Sequence, residues 1–312
     1  MYVLQPITVT EAVLTASNIP ETDYATWASG TTYAAGARVV APSPAGVSYP
    51  RSIYESVAGG NQGTSPASSI FHKENNPAGK WIWVGATNRW RAFDGNISDR
   101  VIAAGDITFT LTLPSLCTGI AFFNLRASSV TVQIRDTADA VIWTRTRTLT
   151  NTDAITDWFE FFTWEPDLEP EAIFTGLPGY TGYKLDITLS GLNSRVGAIA
   201  LGKVTQLGKP MPGTEIGFES YSRKERDDFG NPILIKRPYA DTVTFQFTVP
   251  LTDLRRVKRV ISSLESTPAV WFAGAHLTYL GATVFGFPTG GLRVPISIEG
   301  VHFASLELEG LT

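Results

Sequence analysis

Apolar residues recur at every second position in four stretches of this chain. Ile107, Phe109, Leu111 and Leu113 alternate with Thr108, Thr110 and Thr112, and Val130, Val132 and Ile134 alternate with Thr131 and Gln133. Tyr183, Leu185, Ile187 and Leu189 do the same with polar partners, as do Val243, Phe245, Phe247 and Val249 with Thr244, Gln246 and Thr248. Successive strand side chains point to opposite faces, so a period of two predicts strands with one buried and one solvated face. Threonine is frequent on the polar side, where β-branched residues suit a pleated surface. Many such strands, spaced by Gly, Pro and Asn turns, predict β-sandwiches or barrels.

One helix interrupts this pattern. After Pro250, residues Leu251, Leu254, Val257, Ile261 and Leu264 fall near one face, and Arg255, Arg256, Lys258 and Arg259 fall mostly on the other. Thr252 or Asp253 is placed to cap its start, and Pro268 lies beyond its end. The basic face reads either as a solvated surface or as a contact for an acidic neighbouring subunit.

Composition shifts divide the chain into four segments. Residues 1–20 form a leader arm without a core of its own, expected to pair with another domain or another chain. Residues 21–92 are rich in aromatics, 93–205 hold the first alternating strands, and 206–312 follow the turn-forming run Gly208 to Gly213. The expected fold class is therefore mainly β. It comprises a small aromatic-rich β-module, a jelly-roll-like β-sandwich, and a C-terminal β-domain with one helix, suited to assembly.

Four of the eight tryptophans (Trp27, Trp81, Trp83 and Trp90) lie between Trp27 and Asp94, a stretch poor in Leu, Ile and Val. Such a segment cannot build an ordinary aliphatic core. Flat rings must serve as a miniature core, as surface platforms, or as both. A ring with an apolar face suits sugars, whose C–H faces stack on aromatics. The candidate carbohydrate-binding residues are Trp27, Tyr33, Tyr49, Tyr54, Trp81 and Trp83; the alternative is that most of these rings are the module's own core and its surface meets a protein.

The order Trp27, Tyr33, Gly36, Val39, Tyr54-Glu55-Ser56, Gly60-Asn61-Gln62-Gly63, Pro66 and Trp81 resembles the small chitin- and cellulose-binding modules attached to chitinases and to some phage tail proteins. The resemblance covers about 65 residues, with Trp27, Tyr33 and Gly36 matching the opening frame and Trp81 the closing tryptophan. One departure stands out: an insertion, Ala41 to Arg51, with Pro42, Pro44 and Pro50, that would rebuild or block the binding face. Downstream, Thr87-Asn88-Arg89-Trp90 and Phe93-Asp94-Gly95 resemble the joint between such a module and a galactose-binding-like sandwich in phage tail proteins. There Trp90 and Phe93 are expected to pack under the sandwich, with Asp94 capping a turn or ligating a metal.

Charge and chemistry narrow the function. With 25 Lys and Arg against 29 Asp and Glu, the net charge is −4, which argues against a general nucleic-acid binder. The single cysteine, Cys117, cannot form an internal disulfide. No signal peptide and no apolar run of membrane-spanning length are visible, so synthesis in a cytoplasm without membrane insertion is expected. An acidic stretch (Asp153, Asp157, Glu160, Glu165, Asp167, Glu169, Glu171) surrounds Trp158, Phe159, Phe161, Phe162 and Trp164, and reads as a solvated loop beside an aromatic strand. A glycosidase would need two carboxylates about 5 to 9 Å apart, which any long chain offers. Gly197 to Lys203 begins like a phosphate loop, but Val204 stands where Ser or Thr must hold Mg²⁺. Asp228-Phe229-Gly230 resembles a kinase triplet without its partners. His72, His276 and His302 lack metal-ligand spacing. No catalytic residues, cofactor or metal are expected.

The last third carries a run of mixed charge, Arg223, Lys224, Glu225, Arg226, Asp227 and Asp228, followed by Ile233-Leu234-Ile235. It predicts a long hairpin extending from the sheet, and its charges suit a subunit contact with another copy. The whole arrangement resembles a virion structural protein from the tail tip or baseplate of a tailed bacteriophage. That resemblance implies an oligomer, partners among tail proteins and copies of itself, and host attachment through a surface glycan. A stand-alone glycan-binding accessory protein is the alternative, and a glycoside hydrolase the distant one.

Overall fold

The computed structural model describes residues 1–151, 157–163, 167–226, 229–237, 239–274, 282–295 and 301–311. The protein is mainly β, with the alternating stretches forming strands as their period predicts. Ile107–Thr112, Ser129–Arg135 and Lys184–Ser190 each bury every second residue. They lie side by side, all antiparallel, in a five-stranded sheet ordered Val141–Thr148, Ser129–Arg135, Lys184–Ser190, Ile107–Thr112, Leu14–Ser17.

A ten-stranded sheet faces it. Its path runs Ala172–Gly179, Cys117–Phe123, Ala198–Gln206, Tyr2–Pro6, Ala269–Phe272, Thr283–Pro288, Val301–Gly310, Tyr239–Pro250 and Lys209–Pro210, with Glu215–Ser220 also pairing with Tyr239–Pro250. The first three strands close a two-layer β-sandwich over the smaller sheet. Ile120, Phe122, Phe174, Ile199 and Leu201 pack there against Phe109, Leu111, Val132 and Ile187. The reverse face of the same strands is covered too. Ala121, Phe123, Ile173, Ala198 and Ala200 join Leu4, Val270, Phe272 and Phe285 in a second core. Burial on both faces explains why Cys117–Phe123 reads as a continuous apolar run. The Cys117 thiol is buried here, which pushes its pKa up to about 11.

The leader arm joins the two halves of the large sheet. Tyr2–Pro6 pairs with Ala198–Gln206 on one side and with Ala269–Phe272 on the other. Val3 enters the C-terminal core, Leu4 the second core, and Val9, Val13, Leu14 and Ile19 the sandwich core. A segment with no core of its own thus feeds three. Its neighbour must be bare: a Cβ on Gly202 would lie 1.9 Å from the Gln5 carbonyl oxygen.

The C-terminal core forms where the helix Leu254–Ser263 lays Val257 and Ile261 toward Phe245, Phe247, Trp271 and Leu306. Asp253 occupies the cap position and pairs with Arg256 at 3.3 Å. Arg255, Arg256, Lys258 and Arg259 are exposed. The phosphate-loop look-alike falls on the strand Ala198–Gln206, with no helix to bind a phosphate.

The acidic stretch corrects one expectation. Trp158–Thr163 is a short helix rather than a strand margin, started by Asp157, whose carboxylate accepts the Glu160 N–H at 2.8 Å. Trp158, Phe159 and Phe162 are exposed on it. Asp153, Trp164, Glu165 and His276 lie outside the described residues.

Candidate binding surfaces

The aromatic module is a three-stranded antiparallel sheet of its own, Arg38–Pro42, Arg51–Ser56 and Trp81–Ala86. Without aliphatic bulk, it closes around rings. Trp81 and Tyr54 are fully buried with Val39 and Ala41, and half-buried Trp27 and Tyr33 pack against them. The Tyr33 and Trp81 rings meet edge to face at 5.3 Å. The polar edges of the two fully buried rings are satisfied: Trp81 Nε1 donates to the Thr64 carbonyl at 2.9 Å, and the Tyr54 hydroxyl donates to Pro42 O at 2.7 Å. Gly36 takes a positive φ of 77°, which accounts for glycine at that place in the frame.

This packing divides the candidate sugar-binding residues. Tyr54 and Trp81 are core, and their faces are closed to any ligand. Tyr49 is buried as well, but not in the module. The insertion Ala41 to Arg51 carries it into the sandwich core beside Ala86, Trp90 and Ala92, with Val47 against the same cluster. The extra loop docks the module on the body. Trp83 alone among the six candidates is exposed, at 41%. The register shifts between Ile53 and Tyr54, leaving Val84 without a strand partner, and Ile82, Trp83 and Val84 stand exposed in succession on the outer strand. Sequence reasoning missed Tyr24, which is exposed and tied to Arg38 by a cation–π contact at 5.9 Å, while Arg38 also holds Glu55 at 2.8 Å.

The joint is clasped from both ends of the module. Arg89 Nε donates to Ile19 O at 2.7 Å, Trp90 Nε1 donates to Glu21 at 2.9 Å, and the Asn88 N–H donates to Asp23. Trp90 sits in the sandwich core, and Phe93 reaches Phe109 edge to face at 5.2 Å. Asp94 caps a turn, accepting the Asn96 N–H at 2.8 Å, and burial lifts its carboxyl to about 7.

The mixed-charge run forms a projecting ribbon. Glu215–Ser220 pairs with the start of Tyr239–Pro250, and Arg223–Arg226 continues it against Pro232–Ile235 as a separate two-stranded sheet. Arg223, Lys224 and Arg226 are exposed, and Arg223 pairs with Glu225 at 2.6 Å; Asp227 and Asp228 lie outside the described residues. The apolar residues are exposed too: Ile216, Phe218, Ile233, Leu234 at 64%, and Ile235. An isolated two-stranded hairpin is marginal in water, so such a ribbon gains from a partner surface.

A cleft that no motif announced opens beside the second core. Glu171 and Asp241 both line it, with Thr283 between apolar walls. Burial, reinforced by the Asp241 charge and opposed by Arg147, pushes the Glu171 carboxyl up to about 8. Burial also raises Asp241.

No protein-family model, curated protein or solved structure matches the chain. The likeness to phage tail proteins therefore rests on the residues quoted above.

Proposed function

We propose that this protein is a non-enzymatic structural component of a phage tail tip or baseplate, built to assemble with copies of itself and to contribute weak saccharide binding at the host surface. The observation that carries the reading is the projecting ribbon, which exposes Leu234 and its apolar neighbours among alternating charges. A monomeric protein gains nothing from such a surface; an assembling one buries it. The module supports the second half of the reading. Its outer strand presents Trp83 between Ile82 and Val84 while the remaining rings hold the module together.

A stacked ring contributes on the order of 1 kcal/mol beyond area burial. One module then binds with roughly −4 to −6 kcal/mol, in the high-micromolar to millimolar range. Repetition around a particle raises avidity by ~10²–10⁴. Attachment and assembly are therefore one proposal. The exposed Trp83 on a rigidly docked module would equally serve a stand-alone glycan-binding protein, which a monomeric mass in solution would favour.

The test is binding of the purified protein to host cells and cell-wall glycans, with Trp83→Ala and Trp81→Phe compared. Trp83→Ala is expected to weaken single-module binding about five-fold, the equivalent of about 1 kcal/mol, without lowering the melting temperature. Trp81→Phe should lower stability and leave binding by the folded fraction intact. Unchanged binding in a folded Trp83→Ala protein would sink the saccharide reading.

A further inference from the structure

The large sheet coils strongly. Glu171 leads into its first strand and Asp241 lies on its eighth, yet both line one cleft, joined by Thr283 from the sixth. The cleft has two lobes of about 320 and 350 Å³ that share Pro170, Glu171, Asp241 and Thr283. Thr283 is 94% buried, since only 6% of its surface is exposed, and its Oγ1 has no hydrogen-bond partner among the described residues. An unpaired buried hydroxyl costs about 1–3 kcal/mol, so a group that completes it is favoured. Asn124, which lines the first lobe, donates from its amide to the Ile97 carbonyl at 2.8 Å.

Among the described lining residues the charged side chains are all carboxylates, Glu171 and Asp241 with Glu169 in the second lobe, and none is Lys or Arg. Arg147 approaches Glu171 but is held by Glu169. Apolar walls close the rest, including Phe123 and Phe285, stacked at 5.5 Å. A bare metal ion is a poor fit. Calcium takes 6–8 oxygens at close range, and no group of three or more metal-ligating side chains exists among the described residues. Each lobe is also roughly ten times the ~30 Å³ that one water occupies in the liquid.

We propose that this cleft binds an organic cation, a primary ammonium or guanidinium group on a short apolar stem. The charged head lies between Glu171 and Asp241 and donates to Thr283 Oγ1, and the stem lies along Phe123 and Phe285. A planar guanidinium offers five N–H donors to these acceptors, which is why it should bind better than an ammonium. The head can belong to a free small amine or to an Arg or Lys side chain of a neighbouring subunit. This inference does not depend on the tail assignment.

The probes are butylguanidinium, butylammonium and, as the neutral control, butanol, measured by titration calorimetry at pH 6 and pH 9. The groups facing Glu171 are Asp241, Arg147 and Glu169, and only an ionised Glu171 attracts the probe fully, so tighter binding is expected at pH 9. Butylguanidinium should bind, butanol should not, and Asp241→Asn or Glu171→Gln should each weaken binding at least ten-fold. Thr283→Val should weaken it about three-fold while the protein melts no lower, because it removes an unsatisfied hydroxyl. Asp241→Asn lies at an exposed position and serves if a more buried variant fails to fold. Equal binding of butanol, indifference to both carboxamide variants, or no binding of either cation would overturn the proposal. Where the cation binds, solution mass under saturating butylguanidinium assigns the source: dissociation marks a neighbour's side chain, and constant mass marks a free amine.

Discussion

Replacing Leu4 with alanine tests whether one strand holds the two halves of the large sheet together. Leu4 is fully buried and sits on the strand that pairs with Ala198–Gln206 and Ala269–Phe272. Its surroundings cannot close over the space left behind. Gly119 faces it without a side chain, the position of its absent Cβ being 3.3 Å from Leu4 Cδ1. The loss should therefore combine transfer and cavity terms, about 3 kcal/mol and within the 2.7–5.0 range typical of Leu→Ala changes. Leu4→Met, which conserves volume, should cost less than about 1.5 kcal/mol. The assay is native-state hydrogen exchange read by mass spectrometry. About 3 kcal/mol corresponds to roughly a hundred-fold rise in opening. Peptides from Ala198–Gln206 and from Ala269–Phe272 should lose protection together, because both pair with the same strand. Loss confined to one of the two, with the other unchanged, would show that the halves are stable independently and that the strand is merely attached.

Two further expectations follow from the geometry. Glu171 has its carboxyl raised from 4.5 to about 8 by burial, so the folded state keeps a proton that the unfolded state releases. Stability is therefore lost as pH rises from about 4.5 to about 8, and Glu171→Gln should remove that loss. The shift corresponds to at most about 5 kcal/mol, reduced by solvent access to about 2. Urea midpoints should thus coincide at pH 4 and favour the variant at pH 9, and a constant difference at both would refute the assignment. On the ribbon, Leu234→Glu changes a residue already exposed within one chain, so it should shift stability by less than about 0.5 kcal/mol while reducing the assembled mass seen in light scattering. An unchanged mass would place the subunit contact elsewhere.

The sequence by itself determined the elements whose causes are local. A period of two marked the strands Ile107–Thr112, Ser129–Arg135, Lys184–Ser190 and Tyr239–Pro250, and a period near 3.6 after Pro250 marked the helix Leu254–Ser263. The dense charges of Arg223 to Arg226 marked a hairpin because no core can take them. Only the tertiary structure decided which partners those elements met. Trp81 and Trp83 are two residues apart on one strand and chemically identical, yet one is core and the other exposed, since Tyr33 and the Thr64 carbonyl close over Trp81. Tyr49 looked like a module residue until the insertion carried it across to the sandwich core. Cys117–Phe123 hid its strand character because a second layer buries its other face. Glu171 and Asp241, seventy positions apart, share a cleft because the sheet coils, and no local pattern records that coil. Periodicity reports the face a residue presents; pairing, register and curvature report what it meets there, and those are set by contacts between distant parts of the chain.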